Sequence, residues 1–388
     1  MKILITTGIF PPDVGGPATY SQLLATQLAK RGHEVRVVAY ADKNSPRPSL
    51  SKRGDGGEFK LIRIVRSPFK LWRYFQFFRA VKKYGREADV IYAQGPVSEG
   101  YPSYLATRVL KKPLVVKVTG DYSWEQAVNR GLTDKLIDEF QTLGRYPPQI
   151  KRMRDIQKTV CTHARIIITP SEYLKKIVVG WGINESKVRV IYNAVKKPEL
   201  RIEKQELRKK YGIKDSTFLV LSSGRDVPWK GFKMLREVVS ELQKSNPDIE
   251  LKVLHHSPRT EFHEYVGAAD VYVLNTGYEG LSNTLVEVLH LGTPIITTNV
   301  CGNPEIITSL PFPPHEGGTA GGLSANGILI DYNNKEQLKQ AIELLYSHKE
   351  LRDKLSHSVG LEKFNLEYMI TQTAEVLSIV ARSDSNHR

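Results

Sequence analysis

Residues 278–287 place two carboxylates around a run of small and polar residues, a pattern typical of an anion-binding helix start. The amino end of a helix presents unpaired backbone N–H groups and the positive end of the helix dipole, which together bind phosphate. Glu279 and Glu287 would then accept hydrogen bonds from hydroxyl groups beside a bound diphosphate. Spacing alone leaves a structural alternative open, because Thr284 and Glu287 also match a capping box. The other residues at this predicted helix start are Gly280, Leu281, Ser282 and Asn283.

Two cations follow a predicted strand in the same half of the chain. Arg225 and Lys230 come directly after a strand predicted at residues 218–222, and residues 278–287 follow one predicted at 271–274. The carboxyl ends of parallel strands meet at one edge of a sheet, where ligands bind, so both segments are expected there. Arg and Lys stabilise the negative charge of a departing diphosphate. A solvated basic loop is the commoner explanation of a single Arg–Lys pair.

Gly15 and Gly16 follow the first predicted strand, at residues 2–6, and precede a predicted helix at 18–31. A glycine pair lets the backbone approach a ligand closely, although it is also a simple turn. The segment matches neither G-x-G-x-x-G nor the Walker A sequence, which argues against dehydrogenases and P-loop enzymes.

Short apolar runs alternate with amphipathic stretches along the chain, which predicts parallel sheets covered by helices. A linker-like composition at 195–200 separates two such series. We therefore predict an α/β protein with two Rossmann-like, doubly wound domains at residues 1–195 and 196–366, then a helix at 367–382 and a disordered tail at 383–388. The remaining strands are predicted at residues 34–39, 61–65, 90–93, 114–118 and 166–169, and at 250–254, 295–297 and 327–330.

The composition is that of a globular protein of two or three domains, with 388 residues, 40% of them hydrophobic and 25% charged. Two cysteines are too few for a disulfide framework, and no apolar run is long enough to span a membrane, so we expect a cytoplasmic location. The first 200 residues carry 35 Lys and Arg against 17 Asp and Glu, whereas the remainder carries 21 against 24. This asymmetry suggests that the first half meets an anionic partner, which is nucleic acid, an anionic membrane or a phosphorylated small molecule. The alternative is that the net charge serves solubility alone.

Taken together, these segments resemble glycosyltransferase family four, whose members have the GT-B architecture of two Rossmann-like domains facing a central cleft. The resemblance covers nearly the whole chain, and its most specific part is the E-x7-E segment combined with Arg225 and Lys230-Gly231. Further matches are Gly15-Gly16, Pro170-Ser171-Glu172, Asn193-Ala194-Val195, Ala269-Asp270-Val271, Gly292-Thr293-Pro294, Gly302-Asn303-Pro304-Glu305 and Asn326-Gly327.

The resemblance implies a retaining hexosyltransferase that moves a sugar from a nucleotide-diphosphate sugar to a saccharide or lipid-linked saccharide, in cell-surface polysaccharide or glycoconjugate synthesis. It implies no metal or other cofactor, and the chain contains no D-x-D triplet. The amino-terminal domain would bind the acceptor, and the last helix would return to that domain. The other domain would bind the donor. There, Arg225 and Lys230 would hold the diphosphate, Glu279 the sugar hydroxyls and Glu287 the ribose. Backbone groups would contact the donor at Gly15 and Gly16 and at Gly280, Leu281, Ser282, Asn283 and Thr284.

Three places depart from the family pattern. Many relatives carry a His after the strand at 114–118, where this chain has none; Asp121 is the candidate replacement near the reacting sugar, or else a turn or cap acceptor. Between residues 254 and 268, relatives usually have a Gly-rich turn and a further strand–helix unit. Here His255, His256 and His263 suggest a metal, although no Cys or known ligand spacing accompanies them. Residues 311–322 predict a loop near the cleft or on the surface.

Residues 70–84 are both basic and aromatic. At helical spacing, Trp72, Phe75, Arg79 and Lys82-Lys83 would form a surface for anionic lipid, placing the protein at the inner face of the cell membrane. We favour the alternative of an ordinary amphipathic helix whose aromatic residues pack on the sheet.

Other classes of function stay open. A nucleotide-sugar epimerase or a sugar-phosphate synthase would use the same architecture, since a fold does not determine a reaction. A noncatalytic nucleic-acid-binding protein would explain the basic half, although no recognised module for that role is present. An inactive, donor-binding partner subunit would explain the missing His.

Overall fold

The computed structural model describes residues 1–13, 15–42, 50–51, 58–255, 257–309, 325–356 and 360–385. It contains two compact units. Unit 1 is Met1–Tyr192 together with Glu367–Arg388, and unit 2 is Asn193–Leu366. The sequence-based boundary after residue 195 lies close to this division. The predicted loop at 311–322 and His256 lie outside the described residues.

Unit 1 is built on one sheet. Its strands are β1 (Lys2–Thr7), β2 (Glu34–Ala41), β3 (Leu50–Ser51), β4 (Phe59–Val65), β5 (Val90–Ala93), β6 (Leu114–Lys117), β7 (Ile166–Thr169) and β8 (Val188–Val190). Their order in the sheet is β3-β4-β2-β1-β5-β6-β7-β8, and only the β3–β4 pair is antiparallel. Neighbouring parallel strands need crossover connections, which the helices supply. The helices of this part are α1 (Gly16–Lys30), α2 (Lys70–Gly85), α3 (Gly100–Leu110), α4 (Tyr122–Asn129), α5 (Ile137–Gln141), α6 (Pro148–His163) and α7 (Glu172–Gly180).

Unit 2 has a smaller sheet that is parallel throughout. Its strands are β9 (Phe218–Ser223), β10 (Ile249–Leu254), β11 (Val271–Leu274), β12 (Ile295–Thr298) and β13 (Ile328–Ile330). They lie in the order β10-β9-β11-β12-β13. Apolar side chains of the strands and of the covering helices, among them Val220, Leu235 and Ile342, form its buried core. The helices are α8 (Lys204–Lys210), α9 (Phe232–Leu242), α10 (Arg259–Ala268), α11 (Asn283–Leu291), α12 (Lys335–Ser347) and α13 (Lys349–Leu355).

The last helix, α14 (Leu366–Ser385), packs within unit 1, as the family resemblance implied. Arg31 at the end of α1 binds the carboxylate of Glu367 at 2.5 Å and the hydroxyl of Thr371 at 3.0 Å. The helix continues through Ser385, so the predicted disorder was wrong for residues 383–385; residues 386–388 lie outside the described part of the chain.

Two aromatic residues of helix α2 do not pack on the sheet, contrary to the interpretation that we favoured. Phe77, Ala80 and Val81 face the interior, and Phe77 is fully buried. Trp72 and Phe75 lie on another side of the helix, with their rings tilted against each other and their centroids 5.5 Å apart, and they are 51% and 46% exposed. Packing of these two aromatics on the sheet was therefore a wrong prediction, because the sheet-facing stripe is already filled by the residues at 77, 80 and 81. No helix within the described ranges has both the length and the apolar character needed to cross a lipid bilayer.

Candidate functional site

Two loops of unit 2 contact each other closely. One follows β9 and the other follows β11. The backbone N–H of Gly277 donates to the carbonyl oxygen of Trp229 at 2.7 Å. Gly231 has a φ of +58°, and a Cβ atom there would lie only 2.3 Å from the carbonyl oxygen of Asn275. Only glycine fits both the left-handed conformation and this close approach. The two segments that the sequence singled out are thereby held at one edge of the sheet.

Lys230 and Glu279 meet at this junction. The Lys230 ammonium group donates a hydrogen bond to the Glu279 carboxylate, and their side chains are only 15% and 20% exposed. The backbone carbonyl of Glu279 also accepts from Gly302 N at 3.0 Å. A charge-assisted hydrogen bond between two largely buried groups fixes the position of both. The structure thus brings together one predicted diphosphate ligand and the predicted sugar-hydroxyl ligand.

The amino end of α11 lies directly after Glu279. Ser282 is its cap, and the Ser282 hydroxyl oxygen accepts from Leu285 N at 3.3 Å. The alternative capping box of Thr284 and Glu287 is therefore wrong, since the helix has already begun at Asn283. The segment 280–284 forms the approach and the first positions of the helix, so its dipole and N–H groups are placed as an anion site requires.

Glu287 lies one turn into α11 and is 7% exposed. Its carboxylate accepts from the Arg259 guanidinium and lies 2.7 Å from His263 Nε2. Both partners come from α10, which lies in the segment where the sequence predicted no helix. The helix was missed, although Pro258 followed by Phe262, Tyr265 and Val266 at helical spacing was a readable signal. Arg259 and His263 position the Glu287 carboxylate.

Arg225 is not part of this hydrogen-bonded group. It lies exposed on the same loop as Lys230, and no ion pair joins it to another described residue. Its contact with a diphosphate stays a prediction. The same holds for Gly15 and Gly16 in unit 1, where Gly15 is the cap residue and Gly16 the first residue of α1. Their contact with a donor is likewise untested.

Asp121 is a helix cap in unit 1. It is fully buried, and one carboxylate oxygen accepts from the backbone N–H groups of Ser123 at 2.9 Å and Trp124 at 3.1 Å. The Gln157 and Gln141 side-chain amides donate to the carboxylate at 3.1 and 2.8 Å. With both oxygens occupied in this way, the geometry favours the capping role that the sequence left open. The role of Asp121 beside a reacting sugar is not supported by its position.

A cavity of about 370 Å³ opens in unit 1 at the carboxyl ends of β1, β5 and β6. Glu99 lines it and is 7% exposed. Burial raises the pKa of Glu99 to about 7, against the opposing effect of hydrogen bonds from the backbone N–H groups of Glu99 itself and Gly8. The Nε2 atom of Gln94, another lining residue, is buried and has no hydrogen-bond partner in the described part of the structure. None of these residues was predicted from the sequence, although the polar segment after the strand at 90–93 was a signal.

The two described histidines of this segment, His255 and His263, contact different partners. His255 Nδ1 lies 2.8 Å from the carbonyl oxygen of Gly224, whereas His263 contacts Glu287. Over the described ranges, no group of three His, Cys, Asp or Glu side chains is arranged to hold a metal ion. Whether the reaction needs a metal is a separate matter, and metal independence stays a prediction.

Two family models and several known proteins match this chain. The model of Glycosyltransferase Family 4 matches residues 14–197, and that of Glycosyl transferases group 1 matches residues 249–359. The chain is 24% identical over 420 aligned residues to an uncharacterized glycosyltransferase of Methanocaldococcus jannaschii, with 98% of each chain covered. It is 25% identical over 350 residues to alpha-monoglucosyldiacylglycerol synthase of Streptococcus pneumoniae, covering 79% of this chain and 72% of the relative.

Solved structures share the fold at low sequence identity. HepE of Anabaena, in complex with UDP and glucose, superposes with a TM-score of 0.73 at 16% identity, covering 97% of this chain and 99% of HepE. Sucrose-phosphate synthase of Thermosynechococcus elongatus gives 0.72 at 16% identity, with 98% and 99% covered. These neighbours have the GT-B fold of two parallel-sheet α/β domains. The two family matches and this fold show that the chain belongs to the family 4, group 1 glycosyltransferases.

Proposed function

We propose that the protein is a retaining, metal-independent glycosyltransferase that moves a sugar from a nucleotide-diphosphate sugar to a saccharide or lipid-linked saccharide, in cell-surface polysaccharide or glycoconjugate synthesis. The observation that carries the proposal is the meeting of Lys230, Glu279 and the amino end of α11 at one sheet edge of unit 2. A cation, a helix dipole and a hydroxyl-accepting carboxylate match the diphosphate and the sugar of a single donor. The UDP and glucose bound to HepE support the same assignment by analogy.

The proposed reaction is a front-face displacement. The acceptor oxygen forms a bond to the anomeric carbon on the face from which the diphosphate leaves, and the electron pair of the broken bond goes to the diphosphate. The departing phosphate oxygen takes the acceptor proton, so no strong protein base is needed. Lys230 and the α11 dipole stabilise the charge that develops on the diphosphate. Glu279 orients the sugar, and Glu287, held by Arg259 and His263, orients the ribose.

A screen of UDP-, GDP- and ADP-sugars by thermal unfolding tests this function. One nucleotide class should raise the apparent melting temperature most, because a ligand that binds only the folded state stabilises it by mass action. With that donor and a panel of acceptors, proton NMR should show a product with the anomeric configuration of the donor, and turnover should persist in EDTA. An altered free sugar would instead indicate an epimerase, and a sugar phosphate would indicate a synthase. A gel shift at physiological salt without any nucleotide-sugar binding would indicate a noncatalytic nucleic-acid-binding protein.

We also propose that the exposed face of α2 contacts an anionic membrane surface. Four apolar side chains at its start are strongly exposed: Phe69 by 76%, Leu71 by 79%, Trp72 by 51% and Phe75 by 46%. Arg79, Lys82 and Lys83 follow on the same helix. Apolar side chains beside basic ones fit the boundary between acyl chains and anionic headgroups. The name of the Streptococcus pneumoniae relative, a diacylglycerol glycolipid synthase, is in line with a lipid acceptor.

Sedimentation with lipid vesicles tests this contact. Wild-type protein should pellet with anionic vesicles, less so at high salt, and a Leu71→Ser/Trp72→Ser variant should remain in the supernatant. Ile379→Ser is the matched control, because Ile379 is also apolar and 66% exposed but lies on α14. Equal pelleting on neutral vesicles would contradict the electrostatic part of the proposal.

A further inference from the structure

Strand β10 forms one edge of the unit 2 sheet, where β9 is the only described strand that pairs with it. Of the four edge strands that the structure describes, β10 is the longest, with six residues against two in β3 and three each in β8 and β13. A long edge strand presents a row of backbone groups to which another strand can bind, and proteins commonly shorten or cover such edges. Among the described strands, β10 is therefore the edge that offers most room for pairing.

Alternate residues of β10 turn their backbone groups away from the sheet. The carbonyl oxygens of Asp248 and Leu254 accept from backbone N–H groups at either end of β9, at 2.9 and 3.1 Å. Because backbone groups alternate in direction along a strand, the even-numbered residues of β10 face β9 and the odd-numbered residues face outward. No hydrogen bond joins the backbone of Leu251 or Val253 to another residue of the described ranges. The middle of this edge is thus available to a further strand.

The opposite edge of the same sheet is covered. The backbone N–H of Leu329 in β13 donates to the Ser309 hydroxyl at 2.9 Å, and Ser309 forms an isolated bridge with Gly327. A segment of the chain itself therefore occupies backbone groups of that edge, which hinders pairing with another strand. No described segment covers β10 in this way, so the two edges of the sheet differ in their availability.

Two opposite charges lie two positions apart on β10, and side chains at this spacing share one face of a sheet. Glu250 and Lys252 are both exposed, and neither forms an ion pair with another described residue. Glu250 accepts only a long hydrogen bond, of 3.4 Å, from the Thr217 hydroxyl. The Lys252 ammonium group lies 5.1 Å from the centre of the Tyr265 ring. Both charges are therefore available to partners of opposite charge.

We propose that β10 is a homodimer interface, at which the β10 strands of two copies pair antiparallel about a two-fold axis between their Leu251 residues. In this register the two Leu251 residues exchange N–H···O bonds, and Glu250 of each copy lies directly opposite Lys252 of the other. Such a non-hydrogen-bonded pair brings the two side chains closest together. Registers centred on Glu250 or on Lys252 would instead oppose like charges, which selects the register centred on Leu251.

The proposed ladder is short. The backbone groups of Ile249 are already occupied, because its N–H donates to Asn246 O at 3.1 Å and its carbonyl oxygen accepts from Gln243 Nε2 at 2.8 Å. Pairing therefore centres on Leu251 and Val253, and we expect a roughly micromolar dissociation constant. The proposal does not depend on the proposed function, since none of the donor-site residues lies on β10.

Sedimentation equilibrium of the full chain over a range of concentrations tests the interface, and the wild type should form dimers as its concentration rises. Glu250→Lys and Lys252→Glu should each raise the dissociation constant at least about tenfold, equivalent to about 1.4 kcal/mol, because like charges then lie opposite each other. Glu350→Lys is the matched control, since it reverses an exposed charge on α13, outside β10, and should dimerise as the wild type does.

An equimolar mixture of the Glu250→Lys and Lys252→Glu proteins separates loss of pairing from damage to the fold. When these two strands meet, both cross-strand pairs again have opposite charges, so the mixture should form heterodimers with about wild-type affinity. The Glu250→Lys/Lys252→Glu double variant should pair with itself for the same reason. A wild-type chain that stays monomeric up to about 100 µM would overturn the proposal. Single variants that dimerise like the wild type, or a mixture that stays monomeric, would overturn it as well.

Discussion

The two units both place polar side chains at the carboxyl ends of parallel strands, and they differ in how these charges are balanced. Unit 2 carries 21 Lys and Arg against 22 Asp and Glu, and its cations Lys230 and Arg259 bond to Glu279 and Glu287. Unit 1 carries 35 against 19, and Arg73, which lines its cavity, forms no ion pair with another described residue. Unit 2 is therefore close to neutral overall, whereas unit 1 carries a net positive charge.

This difference separates two ways of preparing a site. Ion pairs within unit 2 hold carboxylates and cations in fixed positions before a ligand arrives, so little side-chain ordering remains to be done on binding. The net positive charge of unit 1 attracts anions at long range. We infer that a ligand of unit 2 meets side chains that are already fixed, and that an anion approaching unit 1 is attracted by its overall charge.

The largest effect is expected for Asp121→Ala, which tests whether this buried carboxylate of unit 1 is structural. The variant removes an acceptor shared by the buried Ser123, Trp124 and Gln157 donors and by the part-buried Gln141 amide, so we expect a loss of about 3–5 kcal/mol in the free energy of unfolding. Asn184→Ala removes an exposed cap with one such backbone bond and should cost only about 1 kcal/mol. Urea unfolding measures both. An Asp121→Asn protein of wild-type stability whose turnover fell a hundredfold would restore the catalytic assignment.

Lys230→Ala tests the site of unit 2 at which Lys230 is paired with Glu279. Removing the cation takes away charge stabilisation of the leaving diphosphate and frees Glu279, so turnover should fall at least about a hundredfold, or roughly 3 kcal/mol in the barrier. Lys233→Ala, an exposed lysine on the first turn of α9, is the control and should retain activity. Steady-state kinetics with the preferred donor gives the comparison. Wild-type turnover by a folded Arg225→Ala/Lys230→Ala double variant would refute this role.

The pH dependence of stability tests the buried carboxylate of Glu99 in unit 1. Because the pKa of Glu99 is raised to about 7 from 4.5, the folded protein binds a proton that the unfolded chain has released between these two values. Wild-type stability should therefore fall as pH rises through this window, by up to about 3 kcal/mol. Glu99→Gln cannot ionise, so its stability relative to wild type should rise from pH 5 to 7 and level off above.

Urea unfolding at pH 5, 6, 7 and 8 measures that trend. The exposed Glu87, whose pKa the neighbouring Arg36 lowers, provides the control: the difference between Glu87→Gln and wild type should stay flat over this range, since both Glu87 pKa values lie below it. A flat Glu99→Gln difference would show that Glu99 is ionised at neutral pH in an environment as polar as water.

The smallest effect is expected for Arg259→Ala in unit 2. Arg259 is half exposed, so the loss of its bond to Glu287 should cost about 1 kcal/mol and raise the donor KM by about fivefold with little change in kcat. His263 still contacts Glu287 in this variant. Arg236→Ala on α9 is the matched control, because its side chain is exposed and lies over Phe232 rather than at a carboxylate. No change in donor KM would mean that Glu287 keeps its position without Arg259.

The strands were the most predictable part of the fold. Buried parallel strands are short runs of β-branched residues, and those expected at 90–93, 166–169 and 271–274 coincide with β5, β7 and β11. The short strands β3 and β8 at the two sheet edges were not predicted, because two or three residues are too few to show an alternation of apolar and polar side chains. The buried face of α2 was not predicted either. Its aromatic residues lie on more than one face of the helix, and only tertiary packing determines which face is buried.

The candidate site was predictable where it depends on strand ends and not where it depends on tertiary contacts. Lys230 and Glu279 follow two strands of one sheet, so their proximity followed from topology. The capping geometry of Asp121 needs Gln141 and Gln157, and the Glu99 carboxylate lies against Gly8, which follows the first strand of the chain. No pattern in the local sequence predicts such contacts between distant residues.

A crystal structure of the protein with the nucleoside diphosphate that it binds most tightly tests the central claim most directly. We predict that the diphosphate lies within hydrogen-bonding distance of Lys230 Nζ and of backbone N–H groups at the amino end of α11. A nucleotide bound elsewhere, with Lys230 still paired to Glu279 and the α11 end unoccupied, would contradict the account.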